Sequence, residues 1–272
     1  MSASRNNCQD LKVVRVTPCG GGEGAPPLFE LLLSLPGWDF RPGQFVMLRP
    51  PEWGLDLVWG RPLSIADVRE EGLRLLVQAI GRGTRRLSEL RSGQVVTVWG
   101  PLGNSFAVEA DKPTLLLAGG IGIAPFVGYA ARHPRPENVR LLFGHRLPGE
   151  CYPLADFAGL GKTEAMREQN PGDLDRFIEH LGQTMRQYAH GGLVLACGPE
   201  PFLRTVRKLA LTLKARVQLS LENRMACGVG ACLGCVARNG KNQLVQTCTH
   251  GPVFWAEDVF LSEDAAPLGG KP

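Results

Sequence analysis

The chain lacks any apolar stretch suited to spanning a bilayer. One uncharged run, Leu115 to Ala131, is interrupted by Gly119, Gly120, Gly122, Pro125 and Gly128, so it reads as a buried strand turning into a helix. There is no internal repeat and no basic tract. The formal charge of +4 is spread along the 272 residues, which leaves nucleic-acid binding without an electrostatic footprint. Met1–Asp10 is polar and holds no leader-like apolar segment, so the expected location is cytoplasmic, with no membrane partner. No Ser/His/Asp set, paired acid–base carboxylates or HExxH is present, and the five histidines are isolated. No catalytic side chain is therefore assigned, and the chemistry is expected to come from bound cofactors that protein groups orient.

What is there is cysteine, concentrated near the end. Cys227, Cys232 and Cys235 follow a C-x4-C-x2-C spacing, and Cys248 comes after twelve more residues. This is the plant-type ferredoxin spacing of a [2Fe–2S] cluster, in which four thiolates supply soft sulfur donors and negative charge to two irons. Gly228, Gly230 and Gly234 let the backbone bend around an inorganic core and turn N–H groups toward sulfur. Zinc is the alternative, although it usually takes two separated pairs or a Cys/His mixture. Disulfides would need an oxidising compartment. Cys8, Cys19, Cys151 and Cys197 are scattered and read as free thiols, and His250 is expected at the surface or behind the ligands.

Three regions follow from the patterning. Residues 1–111 carry six short aliphatic or β-branched runs: Leu11–Val16, Leu28–Leu33, Gln44–Leu48, Gly60–Ala66, Leu73–Gln78 and Val95–Trp99. Glycine and proline separate them, at Gly20–Pro27 among other places, and the spacing predicts a closed antiparallel barrel. Its one helix is expected over Arg85–Leu90, capped by Thr84. Residues 112–221 alternate strands and helices, as a parallel α/β unit does. Leu174, Phe177, Ile178, Leu181 and Met185 form a helical apolar stripe there. Residues 222–272 hold the clustered cysteines and too little apolar content for a core of their own, so metal binding would supply much of their stability.

Four short motifs suit a bound nucleotide. Arg61-Pro62-Leu63-Ser64 offers a guanidinium for a pyrophosphate and a hydroxyl for a ring nitrogen. Gly83-Thr84, at a helix start, offers N–H groups and a hydroxyl. Gly119-Gly120-Ile121-Gly122-Ile123-Ala124-Pro125 links a strand to a helix, although without G-x-G-x-x-G, and Cys197-Gly198-Pro199-Glu200 follows another strand at the carboxyl edge where ligands bind. Taken singly, each also reads as an ordinary turn or cap, and Cys197 as a small buried hydrophobe.

In this order the motifs resemble the ferredoxin–NADP reductase superfamily, a flavin barrel followed by a pyridine-nucleotide domain. With Leu221–Cys235 and Thr247–Phe254 added, nearly the whole chain is similar to the electron-transfer subunits of two-subunit dihydroorotate dehydrogenases. The resemblance implies FAD at Arg61, Pro62, Leu63, Ser64, Leu76, Val77, Gln78, Gly83 and Thr84. It implies NAD at Gly119, Gly120, Gly122, Ala124, Pro125, Cys197, Gly198, Pro199 and Glu200, and the cluster on Cys227, Cys232, Cys235 and Cys248. The implied partner is an FMN-containing dihydroorotate dehydrogenase catalytic subunit of pyrimidine biosynthesis, two of each subunit in a heterotetramer. Two departures stand out: Leu63 occupies a position where many relatives carry an aromatic ring, and Lys162–Asp173 does not match the family's acidic, glycine-rich segment, which leaves NAD against NADP open. A hydrogenase, sulfur reductase or transhydrogenase subunit is the alternative enzyme, and a redox adaptor without nucleotide turnover the alternative of another class.

Overall fold

The computed structural model describes residues 8–20 and 27–261. Residues 1–7, most of the Gly20–Pro27 separator and residues 262–272 lie outside these, with the expectations placed on them.

Six strands close the first barrel: β1 (Cys8–Gly20), β2 (Leu28–Leu33), β3 (Phe45–Arg49), β4 (Arg61–Arg69), β5 (Gly72–Gln78) and β6 (Val95–Leu102). Their order is β1-β2-β5-β4-β3-β6, with β6 returning antiparallel to β1. Side chains on a strand alternate between two faces, and the aliphatic alternates here point inward. Leu11, Val13, Val46, Leu48, Val96 and Val98 are buried in one cluster, while Lys12 and Val14 are exposed. The expected helix is displaced. Helix α1 spans Arg82–Ser88, and Thr84 is its third residue rather than its cap, the Thr84 hydroxyl accepting the N–H of Gly81 at 3.0 Å. Gly81, with extended backbone, takes the cap position that Thr84 was expected to hold.

The next elements are β7 (Thr114–Gly119), α2 (Ala124–Arg132), β8 (Val139–His145), β9 (Lys162–Arg167), α3 (Asp173–Tyr188), β10 (Leu193–Cys197), α4 (Glu200–Leu213) and β11 (Val217–Ser220). Strand β7 is buried along its whole length, as helices on both faces of a parallel sheet require. Strand β9 falls in the segment that matched no family pattern. Four of its six residues are polar or charged, only Ala165 and Met166 being apolar and adjacent, and it lies at the sheet edge, so it carries no apolar alternation to read; Glu164 on it pairs with Arg140 of β8. The stripe on α3 is only half buried. Leu181 and Met185 are in the core, whereas Leu174 is 47 % exposed and Ile178 36 %.

The barrel and the α/β unit share a core. Leu28, Ala66, Leu76 and Phe106 pack with Ile123, Phe126 and Tyr129. A Cβ on Gly128 of α2 would lie 2.8 Å from the Ala66 carbonyl oxygen, so glycine sets how closely this helix approaches β4.

After the cysteine loop come β12 (Val236–Asn239), β13 (Leu244–Gln246), the short helix α5 (Thr247–His250), β14 (Val253–Trp255) and β15 (Val259–Phe260). Strands β13, β12 and β15 form a small sheet, while β14 joins β11 antiparallel and extends the α/β sheet to order β14-β11-β10-β7-β8-β9. Ala256, Val259 and Leu261 enter the α/β core. Buried Arg207 of α4 donates from Nε to the carbonyls of Ala256 and Val259, at 2.9 and 2.7 Å. The final segment therefore uses its neighbour's core.

Candidate cofactor and cluster site

The cysteine loop is pressed against the barrel wall. Cys235 and Cys248 are buried beside Phe45 and Met47, with Trp99, Leu102 and Met225 around them. The Trp99 indole N–H donates to the Cys227 carbonyl at 2.9 Å. Gly228 has φ +73°, and a Cβ there would meet Met47 Cγ at 2.4 Å; Gly230 has φ +81° and faces Thr249 at 2.9 Å. Gly234 was expected to bend the loop too, but Leu233 takes that left-handed position, at φ 55°.

The four thiols fall into two pairs. Cys227 Sγ lies 3.3 Å from Cys232 Sγ, and Cys235 and Cys248 contact each other in the interior. Among the described residues no three His, Cys, Asp or Glu side chains converge as a single-ion site would need. Two thiols per metal suits a binuclear cluster better than tetrahedral zinc, which needs all its ligands around one point. The N–H groups of Val229 and Cys232 donate to Cys227 Sγ, each at 3.4 Å, and that of Gly230 to Cys248 Sγ at 3.2 Å. Burial pushes the Cys227 thiol up, but these donors outweigh it and bring it down to about 7. Cys248, pressed by burial and by Cys235, is pushed up to about 12.

Beside the loop lies a cleft of about 1070 Å³, walled on one side by Arg61–Pro62 and Gly81–Thr84 and on the other by Glu222–Met225 and Val236–Arg238. Arg61 is held rigidly. Its guanidinium sits over the Trp53 ring at 5.3 Å, donates to the Trp59 carbonyl at 2.7 Å, and leaves room only for glycine at 83, where a Cβ would lie 2.3 Å from Nε. Burial lowers its pKa and the nearby Arg82 adds to the effect, with no carboxylate offsetting them. A fixed cation with no carboxylate partner among the described residues suits an anionic ligand. Ser64 sits on β4 opposite Phe45. Leu63 is buried in the barrel core, as is Val77, and Leu76 packs into the shared core; none of the three lines this cleft.

A second cleft, of about 890 Å³, opens at the carboxyl edge of the α/β sheet. Gln78, Gly119, Gly120 and Pro199 line it, with Arg146, Arg167, Leu174 and Phe177 opposite. The two strand–helix turns that contribute Gly119–Ile121 and Pro199 to it meet behind the lining, where a Cβ on Gly122 would lie 2.2 Å from the Cys197 carbonyl oxygen. Ala124 and Pro125 are buried in the first turn of α2. Gly198 abuts Gly119, and burial pushes the Cys197 thiol up to about 12. Glu200 turns into the first cleft instead. Sequence patterning did not mark Trp59, Arg146 or Arg167, solitary residues in loops and at a strand end, whereas Arg82 opens α1 directly before Gly83-Thr84 and Asn223 lies within the Leu221–Cys235 stretch. Exposed His250 meets the Thr249 hydroxyl at 3.1 Å.

Comparison with known proteins places the chain in a family. A family model described as the iron-sulfur cluster binding domain of dihydroorotate dehydrogenase B matches residues 222–260. The "Dihydroorotate dehydrogenase B (NAD(+)), electron transfer subunit" of Caldanaerobacter subterraneus subsp. tengcongensis is 31 % identical over 240 residues, 87 % of this chain and 94 % of the relative. That of Bacillus velezensis is 33 % identical over 262 residues, 92 % of this chain and all of the relative. Among solved structures, an NADH-dependent reduced ferredoxin-NADP oxidoreductase shares the fold at TM-score 0.74 and 23 % identity, over 97 % of this chain and 93 % of that one. A Neisseria gonorrhoeae ferredoxin NADP+ reductase with bound FAD and NADP does so at TM-score 0.58 and 17 % identity, over 77 % and 92 %. The chain belongs to the family of dihydroorotate dehydrogenase B electron transfer subunits.

Proposed function

We propose that the chain is the electron-transfer subunit of a cytoplasmic dihydroorotate dehydrogenase, working with an FMN-containing catalytic subunit, two copies of each. In this reading bound FAD exchanges single electrons with a [2Fe–2S] cluster and a hydride with NAD, joining dihydroorotate oxidation to the nicotinamide pool. Cys227, Cys232, Cys235 and Cys248 hold the cluster, and loop N–H groups donate to two of their sulfurs. Arg61, Ser64 and the backbone at Gly83–Thr84 hold FAD in the first cleft, Pro62 and Glu200 contributing to its walls. The meeting of the Gly119–Pro125 and Cys197–Pro199 turns seats the nicotinamide nucleotide, with Gln78 between the two clefts. Leu63, Leu76 and Val77 act from behind, shaping the barrel wall.

One observation carries the reading: the paired thiols and the fixed, uncompensated Arg61 flank the same cleft, through Met225 and Gly234 on one wall and Arg61 itself on the other. The curated relatives favour dihydroorotate oxidation over the hydrogenase, sulfur-reductase and transhydrogenase alternatives. Anaerobically purified protein should contain two irons, acid-labile sulfide and one releasable FAD per chain. NADH should bleach its flavin, and it should co-purify with the FMN subunit. Stoichiometric zinc without sulfide would refute the cluster, and absence of bleaching would leave only the adaptor.

A further inference from the structure

The first cleft contains a feature that the assignments above do not use. Trp59 is 55 % exposed and Ile80 61 %, and both line this cleft. Single exposed apolar residues are unremarkable, but these two flank Arg61, which is held rigidly by Trp53 and the Trp59 carbonyl and whose pKa burial and Arg82 lower with no carboxylate opposing them. Trp59 is tied to it, since its carbonyl accepts from Arg61 Nη1 at 2.7 Å. Ile80 directly precedes Gly81 and Arg82 on the same wall. Leu63, where relatives would place a flat ring, is 9 % exposed within the barrel core and reaches neither cleft.

A flavin dinucleotide has two flat rings with a dianionic pyrophosphate between them. The ring that exchanges electrons with the cluster must lie toward the wall of Asn223–Met225 and Gly234, which leads to the cysteines. With Arg61 and Arg82 holding the pyrophosphate, the remaining ring is the purine. An aromatic face gives a purine stacking area, and an aliphatic side chain nearby excludes water from it.

Resting on the reading of this cleft as the FAD site, we propose that Trp59 and Ile80 grip the adenine of FAD. This anchors the cofactor by the end that takes no part in electron transfer. Affinity for FAD then depends on Trp59, whereas affinity for FMN, which has the isoalloxazine and a phosphate but no adenine, does not.

The experiment uses the cluster-containing chain, stripped of flavin and titrated separately with FAD and with FMN while flavin fluorescence is followed. Trp59→Ala should weaken FAD binding about tenfold or more, the range expected for losing one base–aromatic stack, and leave FMN binding within twofold. Trp59→Phe should restore most of the FAD affinity, and Ile80→Ser should weaken FAD selectively and less. An unchanged melting temperature should accompany Trp59→Ala, since half-exposed Trp59 packs into no core cluster. Equal losses for FAD and FMN would place the isoalloxazine on Trp59 and overturn the assignment, as would unchanged FAD affinity. A parental chain that binds neither flavin would instead overturn the FAD reading itself, and this proposal with it.

Discussion

The indole nitrogen of Trp99 donates to the carbonyl oxygen of Cys227 at 2.9 Å, across 128 positions of sequence. It joins a barrel strand to the first cysteine of the loop, so barrel and cluster segment share one stability. Trp99→Phe keeps an aromatic side chain in the barrel wall and removes the bond. About 1 kcal/mol of stability should be lost, read as a lower urea midpoint for cluster bleaching. Unchanged bleaching would mean that this bond does not hold the loop.

Gly228 makes a sharper demand. Its φ of +73° disfavours any side chain, and a Cβ would press on Met47. Gly228→Ala should therefore lower iron content well below two per chain and cost at least 1–2 kcal/mol. Adding Met47→Ala removes the clash but not the backbone strain, so recovery should be partial. Full iron occupancy in the single variant would refute the packing argument.

Cys232 is the exposed member of its pair. Cys232→Ser should abolish reduction by the FMN subunit while NADH still reduces FAD at close to the parental rate. Stopped-flow traces at the flavin band would show this. Parental rates in both half-reactions would show that electrons do not pass through this ligand.

Glu109 joins the end of the barrel segment to the α/β sheet by a two-point pair with Arg216, at 3.0 and 2.7 Å, and a contact with Lys112 at 2.9 Å. Those partners hold its carboxyl down at about 2. A carboxyl lowered on folding stabilises the fold above its unfolded value, near 4.5, and loses that contribution as pH falls toward 2. The pair is partly exposed and screened, so the effect is modest. Glu109→Gln should lower the melting temperature by about 2 °C at pH 7 and leave it unchanged near pH 2. An equal loss at both pH values would trace the effect to packing.

Much of this protein was legible before any fold was known, because local chemistry dictates it. Six aliphatic runs between glycine and proline breaks gave the barrel, and four cysteines at ferredoxin spacing gave the cluster. Strand β9 was not legible: a mostly polar edge strand, with Ala165 and Met166 adjacent rather than alternating, shows no period-2 pattern, and pairing with β8 defines it. Helix α1 starts earlier than expected because Gly81 rather than Thr84 takes the cap position.

Sequence alone determined which residue types are present and at what spacing: soft sulfur donors, glycines that permit tight turns, and apolar periods that sort strand from helix. Tertiary structure decided what those residues face. It buried Leu63 and left Trp59 open, drew Gly122 against Cys197, and folded β14 (Val253–Trp255) into a sheet begun at Thr114. Spacing fixes only what neighbouring residues can do, whereas contacts between distant residues are selected by the packing of the whole chain.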